Sequence, residues 1–231
     1  MKRLVRWLTV LALSGLAGAL LLAIAGLPPA PVRLAGEVAG NLAASGVSHP
    51  VTAVLLNFRG YDTFLEVAVL IIALLGMLAA GLPPPPPTGS RNAMLPTLAR
   101  LAVPLMVLAA TYLLWAGAFR PGGAFQAAAV LAAAAVLLHL AEIQAPWPQH
   151  ARGPRLAIAG GFLLFLAIAA ALLVNGGLLR YPPEQAGLLI VLIESGLTVS
   201  LAVNLAAFFL LRSSSENGQI LRSTAKMGEK P

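Results

Sequence analysis

Four groups of polar side chains interrupt a chain that is otherwise almost uniformly apolar, and each has residue types and spacings that could do chemistry. The densest is Asn57-Phe58-Arg59-Gly60-Tyr61-Asp62-Thr63-Phe64-Leu65-Glu66. On a continuous helix Arg59, Asp62 and Glu66 fall at i, i+3 and i+7, on one stripe. A carboxylate one turn inside an apolar helix, with an Arg and an Asp at its mouth, has the make-up of a proton- or cation-handling site. The same residues also suit an ion pair that anchors a helix end, and a break at Gly60 would alter the stripe.

The second group is His139 and Glu142, whose i, i+3 spacing lets them share a face. An imidazole titrates near neutral pH and can pass protons. The plainer reading is an interfacial pair that ends its helix ahead of Gln144-Ala145-Pro146-Trp147-Pro148. The third group is Glu194, Ser195 and Thr198, with Asn204 ten positions beyond Glu194 and about 80° around a helix. Glu194 is either a protonatable relay or an interhelical hydrogen-bonding group. The fourth is Phe119-Arg120-Pro121-Gly122-Gly123-Ala124-Phe125-Gln126-Ala127. Pro-Gly-Gly there reads as a tight turn and helix restart, and Gln126 just inside the next helix needs a polar partner. No Gly-Lys-Ser/Thr follows, so it is not a phosphate loop.

The elements that must position these groups follow from composition. Of 231 residues, 59% are hydrophobic and 10% charged, and the mean hydropathy is +0.87. A soluble domain is about 25% charged, so a water-soluble globule is excluded, as is disorder. With no cysteine, disulfides, thiolate catalysis and Cys-based zinc or iron–sulfur sites are excluded. Two candidate ligands in one place are too few for a metal, since His49 and His150 lie on other segments. No serine-hydrolase elbow, His-Glu-x-x-His, dinucleotide fingerprint or basic–aromatic nucleic-acid surface is present. The expectation is a chain that is not an enzyme, takes no cofactor and binds no nucleic acid.

A bilayer core of about 30 Å needs about 20 helical residues. Six runs qualify: Trp7–Leu27, Thr63–Leu82, Leu101–Phe119, Ala124–Ile143, Leu156–Val174 and Gln185–Leu211. They are continuously apolar, which favours helices over the alternating strands of a barrel. The first run has a rival reading as a secretory signal cut after Ala23-Ile24-Ala25, although it is longer than the usual signal core.

With the N-terminus inside, Lys2, Arg3, Arg6, Arg91, Arg100, Arg152, Arg155, Arg212, Arg222, Lys226 and Lys230 lie on the inner side. Arg33, Arg59, Arg120 and Arg180 lie on the outer side. This bias predicts six spans with both termini inside. The net charge of +7 thus belongs to membrane flanks rather than to a nucleic-acid surface.

Pro83 to Pro87 admit no helix and act as a stiff spacer. They divide the chain into a two-helix module (1–82), a Pro-rich linker (83–93), a four-helix module (94–211) and a polar tail (212–231) expected to fray. Val51 to Leu56 is too short to span and reads as an interfacial or re-entrant turn. Small residues (Ala127–Ala129, Ala132–Ala135, Gly160-Gly161) suit close helix packing.

Two of these motifs together resemble a known family. His49 through Glu66 resembles the C-terminal end of the A subunit of Mrp-type (Mnh) multisubunit Na+/H+ antiporters, and the matching small subunit of membrane-bound hydrogenases. Phe119 through Gln126, followed by an alanine-rich helix, resembles the Pro-Gly-Gly-Gly-Phe-Gln stretch of the MnhB/MrpB domain. Glu194-Ser195-Gly196-Leu197-Thr198-Val199 resembles its final helix. The order of the two parts matches that in such complexes. Two departures stand out: Asn57 occupies a position where the family usually has aspartate, and Ala124 replaces the third glycine.

The resemblance implies an all-α integral membrane subunit of a multisubunit monovalent cation/proton antiporter or a related redox-coupled complex. Its partners would be other membrane subunits, the lipid bilayer, and protons or Na+, in a prokaryotic plasma membrane. The residues expected on the ion pathway are Glu66, Asp62, Arg59, Glu194, His139 and Glu142. The rival expectation is a purely structural subunit whose carboxylates make interhelical hydrogen bonds.

Overall fold

A computed structural model describes residues 2–27, 34–80, 94–143 and 152–227, all of them in helices and short connections. The chain divides into two compact units, Met1–Glu37 and Val38–Pro231. The first holds α1 (Lys2–Ala25), whose Leu4–Ala25 stretch is apolar and long enough to cross a membrane. The helix α2 (Leu34–Asn41) runs across the division between the units.

In the second unit a 3-10 turn (Leu42–Ser45) leads to the single turn α3 (Pro50–Ala53). A π-helical segment, Val54–Phe58, connects α3 to α4 (Gly60–Ala80). Then come α5 (Leu95–Ala116), α6 (Ala124–Leu140), α7 (Arg152–Ala171) and α8 (Pro183–Met227). Among the described residues, five helices are long and apolar enough to span. The fourth expected span, Ala124–Ile143, is α6, which ends at Leu140 and has 17 residues, about 25 Å of rise. That is a few ångströms short of a typical hydrocarbon core.

Three sequence expectations change. The compact division falls after Glu37 rather than at the proline run, so α4 belongs to the same unit as the later helices. The backbone past Leu211 stays helical to Met227 rather than fraying, since no proline interrupts it before Pro231. The stretch 51–56 is not a simple turn but a helical turn running into the π segment. The proline run Pro83–Pro87 lies outside the described residues.

The core forms where α4, α7 and α8 meet. Phe64 stacks on Phe162 with centroids 4.7 Å apart and meets Phe165 edge-on at 5.3 Å. Ile190, Ile193, Leu197 and Leu201 fill the α8 side, all fully buried. Close approach of α7 and α8 depends on Gly161 and Gly196. A Cβ on Gly161 would sit 2.5 Å from the Gly196 carbonyl oxygen. Backbones this near need small residues, which is how helices gain packing in lipid. Ser200 Oγ, one turn on, donates to the Ile158 carbonyl at 2.5 Å.

One end of the unit gathers several connections. The Ser48 and His49 amides both donate to the Ala118 carbonyl, at 3.0 and 3.1 Å. The Thr52 hydroxyl donates to the Gly117 carbonyl, and the Tyr61 hydroxyl to the Leu178 carbonyl at 3.3 Å. The αL residue Gly46 (φ +77°) lies so close to α8 that a Cβ would be 2.5 Å from the Gly187 amide nitrogen. The end of α5 and the starts of α4 and α8 are thereby tied to the connections around them.

Candidate functional site: a cavity with two carboxylates

Arg59 is not part of a continuous helix. Its backbone (φ −128°, ψ 34°) ends the π segment, and α4 begins at Gly60. The i, i+3, i+7 stripe is therefore broken at its first member. Arg59 pairs with Asp62 in the first turn of α4, with side chains 68% and 52% exposed. So open a pair contributes well under about 1 kcal/mol. Asp62 also suits the positive end of the α4 dipole. Neither residue lines the cavity that Glu66 reaches. The structure separates the expected triad into a surface ion pair and a lone carboxylate.

Glu66 instead shares a cavity with Glu194. Both line one cavity of about 330 Å³ together with Leu55 and Leu56 from the π segment, Thr63 of α4, Gly122 through Gln126 at the start of α6, and Leu197 of α8. The π segment shapes one wall. It displaces the backbone so that the Leu55 carbonyl is taken by the Thr63 hydroxyl at 2.7 Å and the Arg59 amide reaches the Val54 carbonyl at 2.7 Å. The Asn57 side-chain amide donates to the Ser45 carbonyl at 3.0 Å, so this asparagine ties two connections together.

The opposite wall is built by glycines. Gly123 has φ +111° and ψ −170°, a region almost closed to other residues. A Cβ there would lie 2.6 Å from Glu194 Oε1. A Cβ on Gly122 would lie 2.5 Å from the Leu113 carbonyl oxygen, and one on Gly117 would lie 2.7 Å from Gly123 Cα. The Gly123 amide donates to the Leu113 carbonyl at 2.8 Å. Pro-Gly-Gly is thus more than a hairpin turn: it lets the start of α6 press against the Glu194 carboxylate.

Glu194 is 4% exposed. The Ala124 amide, at the start of α6, donates to its Oε1 at 3.3 Å. A helix N-terminus carries unpaired amides and positive partial charge, so it favours an anionic group. Thr198 does not touch that carboxylate; its hydroxyl donates to the Glu194 backbone carbonyl at 2.7 Å. Gln126 borders the cavity, bringing a side-chain amide to a space already flanked by two carboxylates. Such a set can hold and pass protons, or offer oxygens to a hard cation.

His139 and Glu142 sit at the far end of α6, about 22 Å from Ala124 by helical rise. The His139 ring meets Phe209 edge-on at 6.2 Å. Glu142 takes a positive φ of 54°, and its amide donates to the His139 carbonyl at 3.1 Å. They close α6 and are not brought to the cavity.

Sequence reasoning missed the contact of Glu194 with the α6 start; the signal for it was the paired glycines beside an apolar helix. It also missed Tyr181, which is buried just ahead of α8 with its hydroxyl unpartnered among the described residues. Burial pushes its phenol above the ordinary range.

Comparison with known proteins bears on what holds this cavity. The family model for a domain related to the MnhB subunit of Na+/H+ antiporters matches residues 94–215. Among solved structures, a chain of the membrane-bound sulfane sulfur reductase (MBS), an archaeal respiratory membrane complex, aligns with 24% identity and a TM-score of 0.64. That alignment covers 89% of this chain and 98% of the other. A chain of the Mrp complex from Dietzia sp. DQ12-45-1b aligns with 23% identity and a TM-score of 0.65, over 90% of this chain and 25% of the other. This chain therefore spans about a quarter of that Mrp chain. No curated protein matches.

Proposed function

Since the chain belongs to the family of domains related to the MnhB subunit of Na+/H+ antiporters, and is a multi-pass membrane subunit of that type, we propose that its cavity is a station on the complex's ion route. Glu66 and Glu194 hold and release protons, or hold Na+, between neighbouring subunits. The chain acts as a transport subunit and not as an enzyme, in a prokaryotic plasma membrane with both termini inside. Its first part, to about residue 82, corresponds to the end of the antiporter A subunit.

One observation carries the reading: carboxylates from α4 and α8 line the same cavity. Glu66 supplies the link to partners. It is exposed on α4 beside Leu65 and Val69, which are also exposed. A carboxylate facing lipid costs a few kcal/mol on insertion scales, so another subunit covers it in the membrane.

The test is cation-driven proton exchange in everted vesicles bearing the whole complex. Glu66→Gln and Glu194→Gln should each lower exchange at least tenfold while the complex stays intact on a native gel. Wild-type rates in both variants would end the reading.

A second reading rests on the Ala124 amide bound to Glu194, in which Glu194 only fastens α6 to α8. Glutamine keeps an oxygen that can accept this bond, so on that reading Glu194→Gln exchanges normally and Glu194→Ala loses assembly.

A further inference from the structure

Asn204 is fully buried in α8, and neither its amide nitrogen nor its carbonyl oxygen has a hydrogen-bond partner among the described residues. Burying a primary amide without partners is costly, and such groups are rare in folded proteins. A leucine would fill the same space without that cost.

The position of Asn204 relative to the cavity is set by helical geometry. Leu197, Leu201 and Asn204 are spaced i, i+4, i+7, on one face of α8. Leu197 lines the cavity, and Leu201 is fully buried. Asn204 thus lies about 10.5 Å further along α8 than Leu197 at the cavity's edge, with Leu201 between them. The neighbouring hydroxyl of Ser200 is committed to the Ile158 carbonyl, and that of Thr198 to the Glu194 carbonyl. Asn204 is the polar group on this face left to serve something else. His139 lies elsewhere: its contact Phe209 is five positions from Asn204, about 140° around the helix.

We propose that Asn204 is an inner station for water-carried protons, separated from the two-carboxylate cavity by a gate formed of Leu197 and Leu201. The inference rests on the ion-route reading above. A primary amide suits water: Oδ1 accepts from one water and Nδ2 donates to a second, so the amide holds the two side by side, and the proton passes directly from the first water to the second while the amide keeps its own protons. It does not suit a bare cation, because one amide oxygen falls far short of the several oxygens a hard cation takes. The leucine levels exclude water until the helices shift, which is how hydrophobic constrictions gate.

The experiment uses the intact complex in everted vesicles, read by a pH-sensitive dye, with thermal stability of the purified complex measured alongside. Asn204→Leu should lower proton exchange at least tenfold while the complex stays assembled and melts at the same or a higher temperature. Asn204→Ser, which keeps a hydroxyl for water, should retain at least a third of wild-type exchange. Wild-type exchange in Asn204→Leu overturns the proposal. So does equal loss of exchange in both variants, or loss of assembly in both, since each assigns the amide to packing. If Asn204→Leu exchanges normally while Glu194→Gln does not, only this inference falls; if both exchange normally, the cavity reading falls with it.

Discussion

The two ends of α6 pose the same problem and solve it differently. At its start, the backbone of one connection is pressed onto Glu194: Gly123 takes a conformation almost closed to other residues, and the Ala124 amide meets the carboxylate. At its other end, His139 and Glu142 are both exposed within the chain, and the helix simply stops. Ionisable residues lie at both ends of α6: Glu194 of α8 beside its start, and His139 and Glu142 at its finish. What separates them is whether a neighbouring backbone has been shaped against the charged group. An acid on an apolar helix is therefore weak evidence by itself, whereas an acid against which a neighbouring backbone is moulded is much stronger.

The largest effect should come from removing that moulding. Gly123→Ala must place a Cβ 2.6 Å from Glu194 Oε1 while holding a backbone conformation that costs about 1–3 kcal/mol for an ordinary residue. The assembled complex should be lost or melt many degrees lower; unchanged melting would show that the glycine contact does not matter. Next is the carboxylate itself. Glu194→Ala leaves the buried Ala124 amide unpaired, a loss of about 1–3 kcal/mol, whereas Glu194→Gln keeps an acceptor. Thermal stability should follow the order wild type, Gln, Ala, while exchange falls in both variants.

How much of this was legible in the sequence depends on range. Apolar length located all six apolar helices, because the bilayer's thickness is a local constraint on composition, but not all of their ends: α5 begins six residues before its apolar run and α8 continues sixteen residues past its own. The acidic residues at 66 and 194 were legible for the same reason. Their sharing one cavity was not, because it depends on a π segment at Val54–Phe58 and on glycines whose role appears only when α5, α6 and α8 are packed. The Arg59–Asp62–Glu66 stripe failed for a related reason: helical spacing was extended across a backbone break at Arg59. Gly60 was the available warning.

A smaller effect is expected at Tyr181, beside the cavity end of α8. Its hydroxyl is buried and unpartnered among the described residues. Tyr181→Phe removes that orphaned group and keeps the ring, so the complex should melt unchanged or up to about 1 kcal/mol more stable. A marked loss of stability would mean that the hydroxyl meets a neighbouring subunit.

The smallest effect should be at the other end of α6, where the comparison is sharpest. His139→Leu and Glu142→Gln change groups about 22 Å from the cavity start of the helix. The contact between His139 and Phe209 is an aromatic one that leucine can largely replace. If the moulded end is the functional one, both variants exchange within about twofold of wild type, and the pH profile of exchange keeps its shape. A His139→Leu variant that loses exchange with an intact complex, or moves its pH optimum, would put an ionisable relay at the unmoulded end. The rule drawn from α6 would then fail in the molecule that suggested it.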